Sequence, residues 1–312
     1  MVGYRTGWHI VRRLPERAAF RVFDLMADVM WRRDGKGVQR MRSNYSTVRP
    51  ELSPAEVEAL VHAGVRSYLR YWCESFRLHD RSIEDLVLGV RVVGDEPVRA
   101  MLGSGRSAVV FLGHMGNWDL GGAWSTTQLA PVTTVAERLK PEELFDEFVA
   151  FRERLGMRII PLTGGSDVFR ELISACRSGA LVALLADRDL THGGIEVDLC
   201  GQRARMAVGP AALAVNTGAA LYPCIIHYEP HPDGRGWRSV LTFHDAVAQP
   251  ADGTSREKIQ EMTQACADVL AEAIRLHTQD WHMMQRVFTR DLAVENVSGS
   301  ESGSSGQSEP SS

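Results

Sequence analysis

The sequence contains no long apolar segment, which limits how the chain can meet a membrane. No run of 18 apolar residues occurs among its 312 residues, so we predict no transmembrane helix. The N-terminal region also lacks the unbroken apolar stretch of a signal peptide, because four arginines interrupt it: Arg12, Arg13, Arg17 and Arg21. The composition, 44% hydrophobic and 24% charged, is that of an ordinary globular protein.

Cysteine is scarce and follows no pattern. The five cysteines are odd in number and form no C-x-x-C pair, which argues against a disulfide framework or a zinc site and favours a reducing cytosol. The histidines show no H-x-H, and no H-x3-H with a nearby third ligand, so we predict no metal site and no metal-dependent hydrolase. No serine or cysteine stands in a G-x-S-x-G elbow, so a covalent intermediate on such a nucleophile is not predicted.

Charge is distributed unevenly along the chain. Residues 1–50 carry eleven Arg or Lys against four Asp or Glu, a net charge of +7. The whole chain has a net charge of −4, so residues 51–312 carry −11. We predict a basic amphipathic segment over 1–50, an α/β domain over 51–294 and a disordered tail of Ser, Gly and Glu over 295–312. The pattern of 8–33 fits a core helix with a solvated side, or a helix lying on an anionic membrane.

The sequence is organised around one stretch, residues 106–119, RSAVVFLGHMGNWD. Its short apolar run ends at a glycine, which predicts a buried strand, and Asn117 suits the N-cap of a following helix. His114 would then lie at the carboxyl end of a strand, where open α/β sheets place functional groups. The His114-x4-Asp119 spacing fits a base oriented by a carboxylate. It also fits a turn histidine beside an Asp that stabilises the helix dipole.

A second buried strand, Leu181 to Ala186, is followed by further carboxylates at Asp187 and Asp189. Since parallel strands end at one edge of a sheet, Asp187 competes with Asp119 as the partner of His114. We favour Asp187, and Asp119 would then support the turn. The alternation of strands with helices predicts an α/β fold with a central, mostly parallel β-sheet flanked by helices.

Four blocks occur in one order: GHMGNWDLGGAW (113–124), TTVAERLKPEELFDEFVAFRERLGM (133–157), PLTGG (161–165) and LLADRDLTHGGIEVDLCG (184–201). In these blocks the chain resembles the bacterial lysophospholipid/lauroyl acyltransferase superfamily. Within it, the chain is most similar to the actinobacterial phosphatidylinositol mannoside acyltransferases. The resemblance runs from about Gly7 to Phe288. It implies a glycerol-3-phosphate acyltransferase-like fold with amphipathic N-terminal helices.

The resemblance also implies roles for individual residues. His114 would be the catalytic base and Asp187 its carboxylate, at a position where the family often has the longer glutamate. The acyl-coenzyme A site would include His114, Arg152 and Gly193. Asn216 also falls at a ligand-contacting position, although a helix-capping role is equally open.

Three other stretches are interpreted as structural. We predict that 38–49 is a connector. Residues 202–210 resemble the family's loop before a helix that covers the acceptor or acyl pocket. The block from Trp281 to Gln285 is shared with the family near its C-terminus and is predicted to serve packing.

As a function, the resemblance implies direct transfer of a long acyl chain such as palmitoyl from acyl-coenzyme A to a mannose hydroxyl of a phosphatidylinositol mannoside. The alternatives are an acceptor such as a lipid A precursor, or an inactive lipid-binding protein. The expected partners are the donor, a phosphoinositol glycolipid and an anionic inner-membrane surface, with no nucleic acid and no cofactor. The protein would then act as a peripheral protein on the cytoplasmic face of the cell membrane.

Overall fold

A seven-stranded β-sheet forms the centre of the computed structural model, which describes residues 11, 13–78, 81–137, 142–162, 166–189, 193–234 and 236–292. A separate hairpin contributes two further strands. The strands are β1 (Val90–Val93), β2 (Ala108–Leu112), β3 (Val132–Glu137), β4 (Arg158–Leu162), β5 (Leu181–Leu185), β6 (Ile195–Leu199), β7 (Gln202–Met206), β8 (Ala220–Pro230) and β9 (Trp237–Phe243).

The helices surround this sheet and connect its strands. They are α1 (Glu16–Arg33), α2 (Lys36–Val48), α3 (Pro54–Leu78), α4 (Ile83–Leu88), α5 (Glu96–Gly103), α6 (Trp118–Gln128), α7 (Glu142–Arg154), α8 (Ser166–Arg177), α9 (Gly209–Thr217), α10 (Ser255–Leu276) and a 3₁₀ turn (Thr278–Asp280). Local signals define their ends. Thr254, for example, caps α10 in a reciprocal capping box with Glu257.

The strand order is β1-β9-β8-β2-β5-β3-β4. Five neighbouring strands, from β8 to β4, run parallel, whereas β9 runs antiparallel to β8 and β1 runs parallel to β9. The predicted α/β fold with a mostly parallel sheet flanked by helices is confirmed. The likeness to the glycerol-3-phosphate acyltransferase fold stays a prediction.

Two apolar cores lie on the two faces of the sheet, because successive residues of a strand point to opposite sides. On β2, Val109 and Phe111 join the core that contains α8, α9 and α10. Ala108 and Val110 join the core beneath α6 and α7. β2 is therefore buried on both faces, which explains its continuous apolar sequence.

The N-terminal helices belong to the first of these cores. Ala19, Phe23 and Ala27 on α1 are buried in it together with residues of the sheet. The opposite side of α1 leaves apolar side chains exposed: Val22 (41%), Leu25 (65%), Met26 (48%) and Val29 (44%). Whether this side meets a membrane stays a prediction, as do the proposed boundaries at 50/51 and 294/295. The predicted disordered tail, 295–312, lies outside the described residues.

Among the described residues, no helix is both long enough and apolar enough to cross a bilayer.

The predicted connector over 38–49 is wrong, since α2 occupies almost all of it. Val38, Met41, Tyr45 and Val48 are spaced along one side of that helix and are buried. The Tyr45 hydroxyl also donates a 2.8 Å hydrogen bond to the carbonyl of Trp281. The helical periodicity is present in the sequence but is diluted by the polar residues of the other face.

The predicted loop over 202–210 is wrong in its first half, which forms β7. β6 and β7 make an antiparallel hairpin whose turn passes through Cys200 and Gly201, both with positive φ. Ala204 and Met206 alternate inward while their neighbours face outward. The short, arginine-rich strand shows only a weak alternation in the sequence.

Candidate functional site

The turn after β2 presents His114 at the carboxyl edge of the sheet. The turn is tight, because Gly116 adopts φ +56° and a Cβ there would lie 2.7 Å from the carbonyl oxygen of Ile226. α6 then begins where the sequence predicts. Asn117 caps it by accepting a 2.9 Å hydrogen bond from the backbone N–H of Leu120.

His114 contacts Asp187 through both its side chain and its backbone. Nδ1 lies 2.5 Å from Oδ1 of Asp187, and the His114 backbone N–H donates a 2.8 Å hydrogen bond to Oδ2. The pairing follows from the parallel register, in which Leu112 of β2 lies beside Leu185 of β5. Asp187 has no exposed surface, whereas the His114 side chain is 22% exposed. The pair therefore joins a buried carboxylate to an accessible imidazole.

The charge state of the carboxylate defines the histidine tautomer. Burial disfavours the charged form of Asp187. The nearby His114 and the hydrogen bonds that the carboxylate accepts outweigh this, so its pKa lies below the usual value of 3.8. An ionised carboxylate only accepts hydrogen bonds, so Nδ1 of His114 must carry a proton, and in the neutral imidazole the lone pair is then on Nε2. That nitrogen can act as a base.

A further side chain reaches the same carboxylate. The indole Nε1–H of Trp281 donates a 3.0 Å hydrogen bond to Oδ2 of Asp187. The sequence predicts a packing role for Trp281 and does not show this contact, since the two residues are 94 positions apart. The resemblance marks the block from Trp281 to Gln285, but nothing in the sequence says which side chain it approaches.

Asp119 does not contact His114; it forms a buried ion pair with Arg152 instead. Nε of Arg152 lies 2.7 Å from Oδ1 of Asp119, and the hydroxyl of Tyr71 donates a 2.8 Å hydrogen bond to Oδ2. Burial disfavours the charged guanidinium, but the adjacent Asp119 raises the pKa of Arg152 above its ordinary value. The alternative pairing of His114 with Asp119 is therefore not the one that the fold forms, and Asp119 ties α6 to α7.

We expect Arg152→Gln to lower the free energy of unfolding by about 3–5 kcal/mol, because it leaves the Asp119 carboxylate buried without its counter-ion. Adding Asp119→Asn should restore part of the loss, and a double-mutant cycle in urea would measure the coupling. Arg170→Gln is the matched control, since Arg170 pairs with Asp167 on an exposed helix surface. Equal losses for Arg152→Gln and Arg170→Gln would contradict this role.

His114 opens onto a cleft of about 460 Å³ at the carboxyl ends of β2, β3, β4 and β5. Its wall is largely apolar, and the start of α9 closes one side. Arg188 and Glu137 also line it and form a 3.5 Å ion pair. The apolar residues that line the cleft are Val135, Leu162, Val168, Phe169, Leu172, Leu184, Leu185, Ala186, Ala207 and Pro210.

Gly193 and Asn216, two further predicted acyl-coenzyme A contacts, lie in different parts of the structure. Gly193 is exposed and directly precedes Gly194, where an added Cβ would lie 2.6 Å from Cβ of the cleft residue Asp189. Asn216 lies at the far end of α9 from Gly209, which lines the cleft. Its side chain donates a 2.8 Å hydrogen bond to the carbonyl of Ala212 within the same helix. Their ligand roles stay predictions.

A second, smaller cavity of about 80 Å³ lies under α6, on the opposite face of the sheet. The Asp119–Arg152 ion pair and Trp118 line one side of it, and apolar strand residues such as Leu112 and Leu185 line the rest. α6 carries glycine at both Gly121 and Gly122 where it faces this space. Of the residues that the structure describes, no three His, Cys, Asp or Glu side chains cluster in a way that would hold a metal.

Comparisons with known proteins identify the family of the chain. The family described as "Bacterial lipid A biosynthesis acyltransferase" matches residues 3–290. A Mycolicibacterium smegmatis protein named phosphatidylinositol mannoside acyltransferase is 40% identical over 300 residues, which cover 94% of this chain and 93% of that protein. A protein of the same name from Mycobacterium tuberculosis is 40% identical over 293 residues, covering 93% and 89% respectively. The resemblance to phosphatidylinositol mannoside acyltransferases is thereby confirmed. The chain belongs to the bacterial lipid A biosynthesis acyltransferase family and is an enzyme that transfers acyl groups.

Proposed function

We propose that the protein transfers a long fatty acyl chain, such as palmitoyl, from acyl-coenzyme A to a mannose hydroxyl of a phosphatidylinositol mannoside. The observation that carries the proposal is the His114–Asp187 pair, whose imidazole opens onto a largely apolar cleft. A buried carboxylate behind an accessible imidazole is the arrangement needed for base catalysis.

In the proposed reaction, Nε2 of His114 takes the proton of the acceptor hydroxyl as its oxygen attacks the thioester carbonyl. Asp187 stabilises the imidazolium that forms. The tetrahedral intermediate collapses, the carbon–sulfur bond breaks, and the leaving thiolate receives the proton from His114. The products are the ester and free coenzyme A. Donor and acceptor supply all the reacting groups, so neither a cofactor nor an acyl-enzyme is required.

Backbone amides near the start of α6 are the proposed oxyanion donors. Two of the candidates are already engaged, since the Gly116 N–H donates to the carbonyl of Asp280 and the Leu120 N–H donates to Asn117. The N–H groups of Trp118 and Asp119 remain as candidates, because they belong to the first turn, which lacks intrahelical acceptors.

The cleft favours a donor with an apolar chain and a charged head. Its apolar wall can hold the methylene groups of an acyl chain, and each methylene buried from water contributes about 0.8 kcal/mol. Arg188, at the end of β5, offers a cation for the phosphates of coenzyme A. Arg152, Gly193 and Asn216 are proposed as further donor contacts from the resemblance alone, since Arg152 pairs with Asp119 and lines the cavity under α6, outside the cleft.

The acceptor is proposed from the relatives. Both relatives at 40% identity carry phosphatidylinositol mannoside in their names, which favours that acceptor over a lipid A precursor.

We also propose that the protein works as a peripheral protein on the cytoplasmic face of the cell membrane, with α1 against an anionic bilayer. Val22, Leu25, Met26 and Val29 recur at helical spacing and form one exposed apolar stripe. The N-terminal fifty residues carry a net charge of +7. An apolar stripe on a helix within a basic segment is a pattern of an interfacial helix.

We expect Leu25→Glu/Met26→Glu to weaken binding to vesicles of phosphatidylcholine and phosphatidylinositol by about tenfold or more, because two apolar side chains no longer enter the bilayer. Sedimentation with sucrose-loaded vesicles would measure it. Leu276→Glu is the matched control, since Leu276 is 69% exposed on α10 and lies outside the stripe. If the α1 variant and the control bind alike, α1 is not the docking face.

The proposed function is tested with purified protein, palmitoyl-coenzyme A and a set of acceptors: phosphatidylinositol mannosides, a lipid A precursor, and none. Thiol release and acylated lipid are followed together. We expect one thiol per acylated mannoside and little release without acceptor. Acylation of the lipid A precursor alone would overturn the acceptor assignment. Thiol release that is independent of acceptor would indicate a thioesterase, and donor binding without turnover would indicate a lipid-binding protein.

A further inference from the structure

We propose that Trp281 is a positioning residue for the reaction, which orients the Asp187 carboxylate behind His114. The inference rests on the proposed function, because it assigns a task within the same site. Trp281 is fully buried, so the indole acts through Asp187 and not by touching the substrates.

The two carboxylate oxygens of Asp187 have different partners. Oδ2 accepts two hydrogen bonds, from the indole N–H of Trp281 at 3.0 Å and from the backbone N–H of His114 at 2.8 Å. Oδ1 is thereby left for the imidazole Nδ1, 2.5 Å away. Two donors on one oxygen restrict rotation of the carboxylate. The ring of His114 is held in the orientation and tautomer that leave Nε2 free.

Trp281 is itself attached to the turn that carries His114. Residues 280–282 lie antiparallel to residues 114–116. The Gly116 N–H donates to the carbonyl of Asp280 at 2.9 Å, and the His282 N–H donates to that of His114 at 2.8 Å. The Trp281 carbonyl accepts the hydroxyl of Tyr45 from α2 at 2.8 Å. The indole and the imidazole are thus mounted on two paired segments, so their separation does not depend on a flexible loop.

Side chains anchor this segment from behind. Asp280 is buried and accepts hydrogen bonds from the hydroxyl of Ser67 at 2.7 Å and the backbone N–H of Tyr228 at 2.9 Å. The Nε2 atom of His282 lies 2.9 Å from the same serine oxygen. The serine proton is used on Asp280, so this histidine nitrogen is the donor of that pair. We therefore expect the backbone of Trp281 to stay in place when the indole N–H is removed.

Removing the indole N–H should change the pH profile. The indole N–H of Trp281 stabilises the Asp187 anion most when the imidazole is neutral. Removing this N–H therefore makes protonation of the His114–Asp187 pair easier. The acid limb of kcat/KM should then move to higher pH by about half a unit to one unit. The adjoining segments carry other titratable or charged groups, which are the same in wild type and in a Trp281 variant. They are Arg188, Asp189, Arg205, Asp280 and His282.

The test compares Trp281→Phe with wild type in transfer from palmitoyl-coenzyme A to phosphatidylinositol mannosides. In metal sites, an outer-shell partner that orients a ligand is worth about 10–100-fold, and we take that range for Trp281 behind Asp187. We expect kcat to fall by that factor while KM for the donor stays within about twofold. The matched control is Trp31→Phe, because the indole of Trp31 likewise donates to a carboxylate, that of Glu58 on α3.

Phenylalanine also leaves a gap, so a second variant separates hydrogen bonding from packing. Replacing Trp281 by 3-benzothienylalanine keeps the bicyclic shape and removes the N–H. We expect the same loss of kcat and the same shift of the acid limb as in Trp281→Phe. Wild-type kcat and an unshifted acid limb in the benzothienyl variant would overturn the proposal, because the indole would then act through volume alone.

A readout without turnover separates this proposal from the proposed function. Histidine-selective ¹⁵N labelling reports the Nδ1–H proton that His114 shares with Asp187, and His114→Ala assigns the signal. We expect the benzothienyl variant to shift or broaden it, and an unchanged signal would overturn the positioning role. If wild type fails to acylate the mannosides, the proposed function falls, and this signal still decides the task of Trp281.

Discussion

Replacing His114 by alanine is expected to lower kcat for acyl transfer by about 10²–10⁴-fold, the usual contribution of a positioned base. The structure gives the reason: the ring is the accessible member of the pair, and the Asp187 behind it is too deeply buried to reach a substrate. KM for the donor should change little, since the imidazole contributes mainly in the transition state. Initial rates of lipid acylation, followed with labelled palmitoyl-coenzyme A, would measure the loss.

The loss should not come from unfolding. The His114 side chain is partly exposed, and without it Asp187 still accepts hydrogen bonds from a backbone N–H and from Trp281. We therefore expect a loss in unfolding free energy of only about 1–3 kcal/mol, the range for removing one partner of a buried group. His231→Ala, on the turn between β8 and β9, is the matched control and should keep full activity. A kcat within a few-fold of wild type in His114→Ala would exclude the imidazole as the base.

The pairing of His114 with Asp187 could be predicted because parallel strands carry their register beyond their ends. Leu112 lies beside Leu185, and counting two residues on from each gives the two functional side chains. Both strands are apolar runs bounded by recognisable turn residues, so their ends can be located within a residue or two. A sequence containing two such strands in one parallel sheet therefore predicts which side chains meet at its edge.

The remainder of the site depends on contacts that no local pattern records. Asp119 and Arg152 are separated by 33 positions, and only the docking of α7 on α6 makes them an ion pair. Trp281 and Tyr45 are separated by 236 positions. The sequence shows that each is an aromatic residue suited to a core, and burial is indeed what most such residues do. The direction of an indole N–H is a property of tertiary structure.

Position 187 holds an aspartate where the resembled family often has a glutamate, and the aspartate still reaches His114. An aspartate is one methylene shorter than the glutamate that is common at this position, yet its Oδ1 lies 2.5 Å from the imidazole. The short side chain also brings Oδ2 within 2.8 Å of the backbone N–H of His114. The carboxylate therefore supports both the ring and the turn that carries it.

Asp187→Asn is expected to lower kcat by about 10³–10⁴-fold, because an amide that donates toward Nδ1 favours the wrong histidine tautomer. Asp119→Asn is the matched comparison: it makes the same change of one atom in the other candidate carboxylate. Since Asp119 contacts Arg152 and Tyr71, its loss should reduce stability more than catalysis, with kcat within about tenfold of wild type. Rates and unfolding curves on both variants would separate the two roles.

The pH dependence of stability tests the charge of Asp187 without any substrate. Its pKa in the folded protein lies below the usual value of 3.8, so ionisation stabilises the fold above that pH. This stabilisation is lost as the pH falls through the lowered value, whereas asparagine does not titrate. The gap in unfolding free energy between wild type and Asp187→Asn should therefore be full near pH 7 and should narrow below about pH 4.

The comparison between the two asparagine variants decides which carboxylate works with His114. If Asp119→Asn lost as much kcat as Asp187→Asn while both stayed folded at the assay temperature, the His-x4-Asp pair would have to form during catalysis. That would require the ion pair of Asp119 with Arg152 to open, since Asp119 is buried in it and lies away from the ring. A large, selective loss in Asp187→Asn instead assigns the catalytic histidine–carboxylate pair to His114 and Asp187, at the ends of two neighbouring strands of the sheet.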